Sequence, residues 1–308
     1  MSSAPIDTKP AVVPVRSSTP APAPAPAPEV DHVDPRPASA PVRTPRSGPS
    51  RGRELAVANA YRALGLIVFV GLWALISWRA PDLPSPAETW TTFTDLMGKA
   101  FTESDAEGKG IGLQLLDSIV RAFEGFAIAA VIGVPFGLFI GANRRAWQAA
   151  NPVIQILRPV SPLAWFPLGL VVLKSSPEAA VFAIFITSIW SIVLNAAAGA
   201  SSVPDDQRNV ARVFRFSRWS YVRQILVPHA MPSIVTGLRL GMGTAWMVIV
   251  AAEMLSGNSG IGFFVWNSYN GGNLAAVISA IILIGVVGVA LDATFVALGR
   301  RYEGATTR

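Results

Sequence analysis

Six stretches of the chain are apolar over about the 20 residues that a membrane-spanning helix needs. They cover roughly 56–78, 118–141, 151–173, 177–198, 232–252 and 274–298. Between them lie polar, Gly-rich or Pro-rich segments, so the hydrophobic pattern alone predicts six helices joined by loops. The third stretch is interrupted by Arg158, Pro159, Pro162 and Pro167. Such residues are tolerated at membrane depth only where neighbouring helices or a cavity satisfy the freed polar groups.

Shorter patterns refine this picture. "SPAE" at Ser85–Glu88 places an N-cap serine before a proline and a glutamate, and Trp90, Phe93, Met97 and Phe101 follow at helical spacing. This predicts a short interfacial helix. Gly133, Gly137 and Gly141, and again Gly237 and Gly241, recur every four residues, a spacing that lets helix backbones approach closely. Between spans four and five, "DDQRNVARVFRF" reads as a short helix opened by Asp205 and Asp206, whose charges favour the positive end of the helix dipole. "SRWSYVRQILVP" reads as a second, opened by Ser217 and closed before Pro228. Two amphipathic helices there are expected to form a docking platform for a soluble partner.

Composition fits a membrane protein: 51% of residues are hydrophobic and 14% charged, against about 25% charged in soluble domains. Cysteine is absent, which excludes thiolate catalysis, disulfides and cysteine metal sites. The two histidines, His32 and His229, sit too far apart in sequence to suggest a metal pair. Residues 1–53 are rich in Pro, Ala and Ser with scattered Arg, and read as a disordered tail. The helical body is expected over 54–303, with the loop between spans four and five over 199–230 and a short tail over 304–308.

Basic residues cluster on alternate loops. Arg51, Arg53, Arg62, Arg144, Arg145, the block Arg208–Arg223, Arg300 and Arg301 fall on one side, and Arg79, Lys99, Lys109 and Lys174 on the other. The positive-inside bias then puts both termini and the arginine block in the cytoplasm of a multi-pass plasma-membrane protein.

At the arginine block the chain resembles the inner-membrane permease subunits of binding-protein-dependent ABC importers. Their cytoplasmic loop carries Glu-Ala-Ala, then a Gly, then a hydrophobic–Leu–Pro ending. The match runs through Asn209, Val210, Ala211 and Arg212 to "ILVPHAMPSIVTGLRLGMGTAW". Asn209 stands where the pattern has Glu, and Arg215 where it has Gly. "LRPVSPLAWFPLGL", "NVARVFRFS" and "AAEMLSGNSGIGFFVWNSYN" are similar to the nitrate/sulfonate/taurine type, and most to its nitrate members.

The resemblance implies an all-α fold of the type I importer kind, with six transmembrane helices and two cytoplasmic coupling helices. It also implies a second permease copy, two ATPase subunits carrying ATP and Mg, and a periplasmic or lipid-anchored binding protein. The chain has no GxxxxGK[ST] loop, so it is expected to hold no cofactor and to be no enzyme itself. Contacts to membrane lipid, and none to nucleic acid, complete the expected partners. Asn209, Val210, Ala211, Arg212, Phe214, Arg215 and Ser217 are the expected ATPase-docking residues.

For the substrate path the candidates are Arg121, Arg158, Trp165, Phe166, Arg239, Trp246 and Glu253. Three arginines at membrane depth would offset the desolvation of an anion. Their structural alternative is pairing with Asp117, Glu124, Glu253 or Asp292. The anion is expected to be nitrate, with a sulfonate or taurine, cyanate or bicarbonate as alternatives. Outside the family, a secondary transporter or channel accounts for six spans, but not for the paired short helices, and no internal repeat is visible. The Gly-rich "GKGIG" and "GNSGIG" read as flexible turns.

Overall fold

A computed structural model describes residues 51–104 and 108–306. The expected N-terminal tail lies almost wholly outside these residues. The chain divides after Asn59, and Ala60–Arg308 form the larger unit.

The elements are nearly all helical. They are α1 (Arg51–Arg79), α2 (Pro86–Gly98), a two-residue hairpin of β1 (Glu103–Ser104) and β2 (Gly108–Lys109), α3 (Ile111–Ala142), α4 (Arg144–Leu157), α5 (Pro162–Leu173), α6 (Ser176–Ser201), α7 (Asp205–Val213), α8 (Arg218–Tyr221), α9 (Val227–Ser256), α10 (Ile261–Asn270) and α11 (Leu274–Thr306). Among the described residues, five helices are long and apolar enough to cross a membrane: α1, α3, α6, the continuous helix Arg218–Ser256, and α11. The expected third span is not straight. α4 and α5 meet at a 97° bend, where Arg158–Ser161 carries Pro159 and Pro162 follows. A proline cannot donate a backbone hydrogen bond, and it disfavours helical geometry in the residue before it.

α6 is the central helix, gripped between α3 and α9. The glycine ladders make that grip possible. A Cβ on Gly137 would come within 2.6 Å of the Val193 carbonyl oxygen, and one on Gly141 would overlap Ala197 backbone. From the other side, a Cβ on Gly237 would stand 2.8 Å from Asn195 Cβ, and one on Gly241 2.9 Å from Ile192. Ile192, Val193, Ala196 and Ala197 are buried at this seam. α11 closes on α9, where the Trp246 indole donates to the Ile284 carbonyl at 3.0 Å.

Caps appear where the sequence placed them. Ser85 accepts from the Glu88 amide at 3.2 Å at the start of α2, and Ser217 accepts from the Ser220 amide at 3.1 Å. The helix after Ser217 does not stop before Pro228, however. It passes through a π-helical turn, Val222–Leu226, and merges with α9 into one 39-residue helix. In that turn the Val227 amide bonds to the Val222 carbonyl, five residues back. The shifted register lets Pro228, which has no N–H to place, follow without a break.

Candidate functional site

The coupling segment is built by a complete helix stop. α7 begins with Asp205 and Asp206. It ends with the Phe216 amide bonded to the Ala211 carbonyl at 2.9 Å and the Arg215 amide bonded to Arg212 at 3.1 Å. This is the Schellman pattern, and it puts Arg215 in the left-handed region at φ 51°, the conformation that glycine adopts at least cost.

α7 then presents two different faces. Val210, Val213 and Phe214 point outward, with Val213 77% and Phe214 70% exposed. Arg208, Ala211 and Arg212 lie on the opposite side, against α3 and the start of the Arg218–Ser256 helix. Ala211, one of the expected docking residues, is only 8% exposed and lies on the inward side of α7. Asn209, Arg215 and Ser217 are exposed, and Asn209 accepts from Arg212 at 2.9 Å.

At the far end of the bundle, Arg121 of α3 donates to Glu253 of α9 at 2.9 Å. The same guanidinium donates to the Ser259 carbonyl at 2.7 Å and the Ser259 hydroxyl at 2.6 Å. Glu253 is fully buried. It also accepts from the Ser118 hydroxyl at 2.7 Å and from the Gly262 amide at 3.1 Å, and Ser118 in turn accepts from the Ile261 amide at 2.8 Å. A buried carboxylate is tolerated when its lone pairs are filled in this way. "GNSGIG" is therefore not a loose turn. Gly257 at φ 69° ends α9, Gly260 at φ 118° opens α10, and a Cβ on Gly260 would collide with the Glu253 carboxylate.

The seven candidate path residues do not share one cavity. Arg121 lines a groove of about 620 Å³ with Asp117, Glu124, Glu178 and Phe182. Arg239 of α9 forms a bidentate pair with Asp292 of α11, at 2.5 and 2.8 Å. Arg158 is exposed at the α4–α5 break. Trp165 meets Phe182 edge-on at 6.4 Å, and its indole N–H is buried without an acceptor among the described residues. Phe166 is buried in the core beside α6, and Trp246 faces α11. Arg121 and Arg239 are thus held by carboxylates. The sequence offered both partners as alternatives, but pairing across more than 50 residues leaves no local signal. Ser118 and Ser259 were missed for the same reason, and Gly262, only nine residues from Glu253, because it binds through a backbone amide that carries no residue-type signal. Among the described residues no group of three or more His, Cys, Asp or Glu is placed to hold a metal ion.

Comparison with known proteins adds to this geometry. Residues 133–304 match the family model described as binding-protein-dependent transport system inner membrane component. The chain is 42% identical over 231 residues to the nitrate import permease protein NrtB of Synechocystis sp., covering 75% of this chain and 84% of that protein. It is 40% identical over 242 residues to the bicarbonate transport system permease protein CmpB of Synechococcus elongatus, covering 77% and 87%. Among solved structures, the inward-facing MetNI methionine ABC transporter aligns with a TM-score of 0.55 at 16% identity, over 61% of this chain and 93% of that chain. That likeness is one of fold.

Proposed function

The chain belongs to the binding-protein-dependent transport system inner membrane component family, a multi-pass membrane permease of the ABC importer class, and from that premise we propose that it moves nitrate into the cytoplasm. The carrying observation is the 40–42% identity to three nitrate import permeases, of which the chain spans 83–86%. Bicarbonate is the second reading, favoured by identities of 40–41% to bicarbonate permeases over similar lengths.

In this reading both termini and α7 face the cytoplasm. The basic residues at the α7 end of the bundle support that orientation. ATP and Mg belong to partner ATPase subunits. The outward apolar face of Val210, Val213 and Phe214 seats in the ATPase, and α8 carries the motion into the long helix ending near Glu253. Two copies of the permease sit side by side, and a binding protein delivers the anion at the α10 end. The groove lined by Arg121 opens the path, and the unsatisfied indole N–H of Trp165 offers a neutral donor to an anion farther in. Residues 1–53 serve as a cytoplasmic tail outside the 54–303 permease body, and 304–308 as a second.

The test is uptake by the complex reconstituted with its ATPase and binding protein in sealed vesicles. Labelled nitrate is supplied at micromolar concentration, with bicarbonate, taurine and an alkanesulfonate as competitors. ATP-dependent nitrate uptake that the competitors leave unchanged supports the reading. Bicarbonate uptake without nitrate uptake replaces it with the second.

A further inference from the structure

Behind α7 lies a groove of about 860 Å³, within the usual size range of ligand pockets. One wall is the last two turns of α3, including Leu138 and Phe139, and the other is the π turn with Leu226. These walls are the ends of two apolar spans, Ile111–Ala142 and Arg218–Ser256, so the groove sits where the bundle leaves the apolar layer.

Its lining is charged with one sign. Arg208, Arg212 and Arg218 line it, and no carboxylate does among its described lining residues. Arg208 is incompletely satisfied. Its Nε is buried with no acceptor, its contact to the Ser201 carbonyl is 3.4 Å, and its approach to Asp205 is 3.9 Å. Trp219, 73% exposed, also lines the groove, and indoles favour the headgroup level of a bilayer.

We propose that this groove binds one anionic phospholipid of the leaflet on the α7 side. The acyl chains lie along Leu138, Phe139 and Leu226, and the phosphate is held by Arg208, Arg212 and Arg218. Charge complementarity selects this occupant: an apolar cleft lined by three cations and no carboxylate matches an amphipath with an anionic head. A soluble partner docking on Val210, Val213 and Phe214 approaches the opposite face of α7 and leaves the groove open to the bilayer. The lipid fills the space behind Ala211 and so sets the height at which α7 is presented. Naming the leaflet as cytoplasmic rests on the orientation proposed above; the site itself does not.

The experiment uses the full chain in complex with its ATPase, exchanged into nanodiscs of phosphatidylglycerol and phosphatidylcholine in equal amounts and released for native mass spectrometry. Wild type is expected to retain one phosphatidylglycerol per permease copy. Each Arg→Gln change at Arg208, Arg212 or Arg218 is expected to lower the preference over phosphatidylcholine about fivefold at low salt. Ala142→Trp, which fills the groove and leaves the arginines in place, is expected to remove the bound lipid. Arg145→Gln, an exposed arginine outside the groove, is the control and is expected to change nothing. Equal retention of both lipids by wild type overturns the proposal, as does no retained lipid. A loss in Arg145→Gln as large as in Arg208→Gln also overturns it, because attraction by surface charge alone then accounts for the binding. The readout is independent of what the complex transports.

Discussion

Arg121 and Glu253, on helices 132 residues apart in sequence, form an ion pair of 2.9 Å in which the carboxylate is buried and every partner is polar. The pair ties α3, α9 and the turn into α10 together through Ser118, Ser259 and Gly262. Removing one member of such a pair strands the other charge, and typical costs are about 3–5 kcal/mol.

Glu253→Ala is therefore expected to lower the thermal unfolding midpoint of the purified chain sharply, while Glu253→Gln, which keeps the Ser118 contact, loses less. The double change Arg121→Gln with Glu253→Gln is expected to recover part of the Glu253→Ala loss. Scanning fluorimetry in detergent checks this. Equal midpoints for wild type and Glu253→Ala would show that the pair is idle.

Gly137→Val and Gly141→Val are expected to separate α3 from α6. Overpacking a tight seam costs about 1–3 kcal/mol per site, and here the obstructing atoms are backbone of Val193 and Ala197. Gly243→Val, whose Cβ would meet nothing within 4 Å, is the matched control. Yield of monodisperse protein after extraction from membranes ranks the three.

Arg215→Gly is expected to stabilise the end of α7, because a left-handed conformation costs a non-glycine residue about 1–2 kcal/mol. Arg215→Val is expected to be worse than wild type, since a branched side chain resists positive φ. Protection of the Phe216 amide in hydrogen exchange reports the difference directly.

Val213→Asp and Phe214→Asp are expected to cut ATPase association at least about tenfold with the fold intact, as loss of an apolar anchor in a docking surface does. Ala211→Glu is expected to act differently. It drives a charge into the groove behind α7, so it lowers stability as well as association. Pull-down of the ATPase beside a melting curve separates the two outcomes. A stable Ala211→Glu chain with normal association would put Ala211 on the surface after all.

The sequence revealed most where a few neighbouring residues decide the outcome. Ser85 and Ser217 mark helix starts because capping is a local bond, and Asp205 and Asp206 mark another because their charges favour the positive end of the helix dipole. Gly133 to Gly141 mark a seam because close approach needs the missing Cβ every fourth residue. Pro159 and Pro162 warned that the third span was interrupted, but they could not give the angle. Pro228 misled: proline ends a helix only in the α register, and the π turn before it changes that register. The charged sites were the least legible. Arg121 and Arg239 were candidates for a substrate or for pairing with Asp117, Glu124, Glu253 or Asp292, and only the fold selects Glu253 and Asp292.

The merging of α8, the π turn and α9 has a mechanical meaning. At about 1.5 Å per residue, the 35 steps from Arg218 to Glu253 make a strut of about 50 Å. Its ends lie at opposite faces of the bundle, one beside the arginine-lined groove and one at the Arg121 knot. A tilt of about 5° pivoted at the first end sweeps the second by about 4 Å, longer than the contacts that hold the knot together. A bundle jointed at Pro228 would absorb that tilt in the joint. A strut that stays straight through the π turn, Pro228 and Pro232 would instead deliver it to the hydrogen bonds around Glu253, which would then act as a catch with a definite breaking stroke.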